Sequence, residues 1–148
     1  EPLPFELRSA SLSAGKRKLS KRAALRLAGR YGPHAESVAA CIDESSGTGA
    51  ERISWTDTLW SELVWACESE SVEHLVDLLL RRTRIGLLLE QGGQAKLSRI
   101  RKICERYLGW SAERWQQECE RYLDTSATYY AVPSTRGDAK GGVRVNQQ

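Results

Sequence analysis

Few side chains in this sequence are equipped for chemistry, and their spacing limits what that chemistry could be. The only imidazoles are His34 and His74. A histidine beside a carboxylate can serve as a general base, and His74 stands near Asp77 on the polar side of an amphipathic stretch, at the azimuth of Arg81. On the residues alone it reads first as a solvated helix residue beside an acid. His34 has no second His or Cys at ligand spacing, so it reads as a surface or capping residue. Glu68, Glu70 and Glu73 crowd at a helix break, where they could hold a cation but more simply complement the start of the next helix. Cys41, Cys67, Cys104 and Cys119 stand singly at apolar or interfacial helical positions, with no C-x2-C pair to nucleate zinc, and read as reduced core thiols. No G-x-G-x-x-G follows a strand, and there is no G-x-x-x-x-G-K-[ST], H-E-x-x-H or G-x-S-x-G. The residues predict no catalytic, cofactor-binding or metal site in this chain.

The chain is arranged instead around Ser54–Gly86, which reads as two packed helices ending in the basic turn of Asp77–Gly86, DLLLRRTRIG. In the first, Leu59, Trp60, Leu63, Val64, Ala66 and Cys67 share a face roughly 160° wide. Ser54 with Asp57 supplies a start signal close to a capping box. Trp65 points away from that face and is a candidate docking aromatic. Ser71 with Glu73 restarts the chain after a break near Glu70. In the second helix Val72, Leu75, Val76, Leu78, Leu79 and Leu80 cover about 200° of the wheel, which predicts a central position. The same wheel puts Arg82 between Leu75 and Leu78. A guanidinium buried there needs a carboxylate, and Glu62 is the first choice. Asp77 and Arg81 form an i,i+4 pair worth about 0.3–0.5 kcal/mol.

The remaining elements are set by caps and breakers. Residues 1–19 have two prolines and no sustained period and read as a linker, with Lys16, Arg17, Lys18, Lys21 and Arg22 as a solvated basic cluster. Ser20 caps a helix through Ala24, Leu25, Leu27, Ala28 and Tyr31 that Gly32-Pro33 ends. A short helix from about His34 to Asp43 buries Ala35, Val38, Ala39 and Ile42, and ESSGTGAER reads as a loop. After Gln91-Gly92-Gly93 a helix turns Ala95, Ile100, Ile103, Cys104 and Tyr107 inward and ends at Gly109. Its outward side carries Arg99, Arg101, Lys102 and Arg106. Ser111 opens a last helix with Trp115, Cys119, Tyr122 and Leu123 in one stripe, and residues 131–148 read as a disordered polar tail. The expectation is an all-α domain over 20–130, of five or six helices in orthogonal or bundle-like packing, with no significant sheet.

Composition narrows the partners. A net charge of +3 gives nucleic acid little support, and the basic side of 99–106 has no aromatic stacking ladder beside it. No apolar run approaches the ~20 residues of a membrane span. A cytoplasmic location is expected. The absence of methionine, even at position 1, points to a piece of a longer polypeptide.

The stretch E-L-V-W-A-C-E-S-E, then L-V-D-L-L-L-R-R-T-R-I-G, then Y-L-G-W and S-A-E-R-W-Q-Q-E resembles the C-terminal domain of FAD-dependent glycerol-3-phosphate dehydrogenases and the related oxidases. Asp77, Leu79, Arg81, Arg82, Thr83, Arg84 and Gly86 stand at the places of that family's D-x-L-x-R-R-T-[RK]-x-G segment. Leu27, Ala28, Arg30, Tyr31 and Gly32 resemble its L-A-x-R-Y-G. The likeness covers about residues 20–125 and implies an accessory cap of an enzyme that passes electrons from sn-glycerol 3-phosphate to FAD and then to quinone, in a parent peripheral to a bacterial inner membrane. FAD and substrate would be held by the parent's other domain, onto which this chain would dock through Trp65 and the R-R-T turn. The competing readings are a free-standing protein- or nucleic-acid-binding module using Arg99, Arg101, Lys102 and Arg106, and an autonomous enzyme built on His74.

Overall fold

Ser20 accepts a hydrogen bond from the Ala23 N–H at 3.2 Å and opens helix α1, Lys21–Tyr31. Gly32, at φ 51°, closes it, and a single 3-10 turn holding Pro33 leads into α2, Ala35–Ala40. The structure is a computed structural model that describes residues 19–42 and 49–130. The expected linker up to residue 18, most of the loop after Asp43 and the tail 131–148 lie outside the described residues. Leu19, Ala24, Leu27, Ala28, Val38, Ala39 and Ile42 close on one another and on Leu59 to form a first apolar core.

An irregular loop replaces the helix start expected at Ser54. Ile53 is fully buried, its N–H and the Thr58 carbonyl pair at 2.8 Å, and the Thr56 hydroxyl donates to the Ile53 carbonyl at 2.8 Å. Burying Ile53 forces the intervening residues into a tight turn, with Ser54 at φ 56°. Helix α3 begins only at Trp60 and runs to Ser69. Glu62 caps it, its carboxylate accepting from the Leu59 N–H at 2.8 Å. Leu59 faces the first core while Trp60, Leu63, Ala66 and Cys67 face a second, so α3 is the wall the two cores share.

The next helix begins at Leu75 rather than at Ser71, whose φ is 52°. From Asp77 to Arg82 it is a π-helix: the Thr83 N–H reaches back five residues to the Leu78 carbonyl at 3.1 Å. Leu75, Leu78 and Leu79 have no exposed surface, each contributing about 1.5–3 kcal/mol of burial. Helix α4, Ile85–Leu88, comes next, then a kinked turn in which Gln91, Gly92 and Gly93 all have positive φ. Helices α5, Leu97–Leu108, and α6, Ala112–Tyr129, complete the second core with Ile100, Cys104, Trp115 and Tyr122. Gly109 closes α5 and Ser111 caps α6, as their positions predict. Ala95, expected inside, is exposed in the kinked turn.

Among the described residues there are thus six α-helices and no sheet, only an isolated bridge between Arg52 and Leu59. No disulfide forms among them; Cys67 and Cys104 lie in the second core, while Cys41 and Cys119 are half-buried. Hydrogen bonding to Cys67, together with burial, pushes the Cys104 thiol pKa far up, which keeps it an inert apolar filler.

Candidate functional site

The R-R-T-R stretch is an irregular corner of the second core. Thr83 is its buried pivot, both its N–H and its hydroxyl donating to the Leu78 carbonyl, the latter at 2.6 Å. A π turn carries more than four residues per turn, so the 3.6-residue wheel overruns here. Arg82 is therefore exposed, not set among the leucines, and it does not pair with Glu62. Arg81 pairs with Asp77 at 2.9 Å, the i,i+4 contact read from the spacing, and Asp77 also accepts from the His74 N–H at 2.9 Å. Arg84 stands in the left-handed region at φ 59°, ψ 12°, a conformation that costs a non-glycine residue about 1 kcal/mol or more. Among the described residues neither Arg82 nor Arg84 has an ion-pair partner. Gly86 lies beneath Tyr122, where any Cβ would collide with the phenolic oxygen.

Glu62 is held from another quarter. It is completely buried and meets the L-A-x-R-Y-G stretch of α1. Arg26 reaches its two carboxylate oxygens at 2.5 and 3.2 Å, Arg30 lies 3.6 Å away, and the Tyr31 hydroxyl donates to it at 2.8 Å. Burial and the Glu62 carboxylate push the Tyr31 pKa well up, so the hydroxyl stays a donor. Arg30 also donates to the Arg82 carbonyl at 2.8 Å. Thus α1 holds α3 by a salt bridge and the R-R-T-R corner by a backbone contact.

The outward surface of the corner is apolar. Leu87 and Leu88 on α4 are 48% and 47% exposed, and Trp55, at the tip of the loop before α3, is 64% exposed. With Arg26, Arg30, Thr83 and Arg84 they line a shallow cleft of about 390 Å³. Asp57 braces the Trp55 loop through Arg22 at 2.7 Å and Arg52 at 3.5 Å, and the Arg22 hydrogen bond holds the Asp57 carboxyl below its ordinary range. Trp65 is only half-buried, but it packs against the first core with its ring 5.9 Å from that of His34. Trp55 is the exposed indole beside the arginines. Its place in a polar stretch outside any apolar stripe is the one sequence signal for it.

The other expected groupings separate. Arg101 pairs with Glu105 at 2.6 Å, and Arg99 pairs with Glu51 at 2.6 Å while lying 4.2 Å over the Trp60 ring. At 100° per residue Arg101 points away from Arg99, Lys102 and Arg106, so the four do not form one basic stripe, and a nucleic-acid interface is not supported. His74 precedes Leu75 in a charged knot: its Nδ1 lies 3.0 Å from a Glu118 oxygen, with Arg114 3.0 Å and Arg121 3.7 Å from the same atom. Glu118, 1% exposed, also accepts from the Leu75 N–H at 3.0 Å, capping the helix that Leu75 begins. Among the described residues no group of His, Cys, Asp and Glu, the Glu68–Glu73 cluster included, is arranged to hold a metal ion. No described helix is long and apolar enough to cross a membrane.

A family model described as the C-terminal domain of alpha-glycerophosphate oxidase matches residues 6–115. No curated protein and no solved structure gives a significant match.

Proposed function

The chain belongs to the family of C-terminal domains of alpha-glycerophosphate oxidase, and from that premise we propose that it is the non-catalytic cap of a FAD-dependent enzyme. That parent oxidises sn-glycerol 3-phosphate to dihydroxyacetone phosphate, and its FAD passes the electrons to quinone. FAD and substrate are held by the parent's other domain. This chain contributes a docking surface.

The observation that carries this reading is the uncovered apolar corner of Trp55, Leu87 and Leu88 beside Arg84. A tryptophan and arginines around an aliphatic centre have the composition of an interface hot spot. The Arg84 guanidinium, with no ion-pair partner among the described residues, calls for a carboxylate or carbonyl on the opposing surface. Arg84, fixed in a strained backbone conformation by the buried Thr83 behind it, is pre-set for that contact.

The test is to read the coding frame upstream of Glu1, express the joined polypeptide and assay oxidation of sn-glycerol 3-phosphate with a dye acceptor. A strand followed by G-x-G-x-x-G upstream, bound flavin and turnover are expected. Trp55→Ala with Arg84→Glu should weaken flavin retention and thermal stability in the joined protein while leaving the separate chain's stability within about 0.5 kcal/mol of wild type. An upstream frame without a flavin-binding body, or a joined protein that the double substitution leaves untouched, overturns the reading.

A further inference from the structure

A second recess lies away from the docking corner, over the outer face of α3 between α2 and α5, and shares no residue with it. Its volume, about 750 Å³, falls within the ~300–1,000 Å³ of small-molecule sites. The indoles of Trp60 and Trp65 come from α3, and one wall is α5, which contributes Arg99, Lys102 and Arg106 at i, i+3 and i+7 together with Tyr107. Arg99 is already committed to Glu51 and to the Trp60 face. Lys102 and Arg106 are exposed and, among the described residues, have no ion-pair partner; the Arg106 guanidinium lies 5.3 Å over the Tyr107 ring. Among the described residues Glu68 is the one carboxylate on the rim.

Flat aromatic surface and two cations with no ion-pair partner among the described residues thus converge in one concave space. The rings favour a planar apolar body and the cations favour an acid group at its edge. We propose that this groove binds a small planar aromatic anion, its ring against Trp65 and Tyr107 and its acid group between Lys102 and Arg106. The proposal is independent of the docking reading, because it uses none of the R-R-T-R residues.

The full 148-residue chain should be titrated at low salt with 2-naphthoate, 2-naphthamide and inorganic phosphate, by calorimetry and by the indole N–H resonances in 15N-labelled protein. Expected is saturable one-to-one binding of 2-naphthoate that moves the Trp65 indole resonance. The neutral amide should bind about tenfold more weakly, the loss of one charge-assisted contact, and phosphate should not saturate. Lys102→Glu with Arg106→Glu should weaken 2-naphthoate by about tenfold or more, and the milder Lys102→Ala by about threefold. Equal affinity for acid and amide, phosphate binding as tight as naphthoate, unchanged affinity in these variants, or no saturation at all overturns the proposal.

Discussion

Replacing Glu62 by Ala removes the junction between α1 and α3, and the structure sets the size of the loss. The carboxylate has no exposed surface and is held by Arg26, the Tyr31 hydroxyl and the Leu59 N–H, with Arg30 at 3.6 Å. Losing the helix cap costs about 1 kcal/mol. Removing one partner of a buried pair costs ~3–5 kcal/mol, but the Arg26 side chain is 23% exposed and can partly rehydrate, which puts this part near the low end. The sum is about 4 kcal/mol, a large share of the ~5–15 kcal/mol that holds a domain together. For a chain of this size that lowers Tm by about 10–14 °C. Glu62→Gln keeps the shape and an acceptor for Leu59 and should lose about half as much. Urea titrations followed by tryptophan fluorescence measure both, and a double-mutant cycle with Arg26→Ala should return a coupling of about 2 kcal/mol. An alanine variant within about 0.5 kcal/mol of wild type, or a coupling near zero, would refute the assignment of Glu62 to the α1 arginines.

Glu118 makes stability depend on acid. Burial pushes its pKa up, but the hydrogen bond to His74, the Leu75 N–H and the Arg114 charge outweigh it and hold the pKa below the ordinary value. Its stabilisation is therefore present above the unfolded-state pKa and is lost as pH falls through the folded-state value. Glu118→Gln should flatten the decline in denaturant-measured stability between about pH 5 and 3. An unchanged acid slope would show that the carboxylate does not titrate differently on folding. Gly86→Ala should destabilise by about 2–3 kcal/mol through overpacking, because its Cβ meets the Tyr122 oxygen and, at 2.9 Å, Leu80. A neutral result in the same titration would mean that Tyr122 yields freely.

The helix ends at Ser20, Gly32, Gly109 and Ser111 are legible because caps act over three or four residues and the local sequence contains both partners. Glu62 and Arg82 both stand out in the sequence, but their surroundings do not. The arginines that hold Glu62 stand 36 and 32 positions earlier on α1, and a carboxylate does not announce a distant partner. A regular wheel carried through a π turn misplaces Arg82. The opposite lesson comes from Glu118, which sits between Trp115 and Tyr122 at helical spacing. An acid inside an apolar stripe is a readable sign of a buried cap. Trp55 has only its place outside any apolar stripe as a sign, because it belongs to no periodic element but to a loop whose shape is set by the burial of Ile53.

The wide turn at Asp77–Arg82 makes the count of residues there as decisive as their identity. Winding the same residues at 3.6 per turn would rotate the downstream chain by about 100°. Thr83 would slip from the Leu78 carbonyl, and Arg82 would swing toward the leucines that regular winding assigns to it. Regular winding of the full count would dismantle the exposed corner although every amino acid survived.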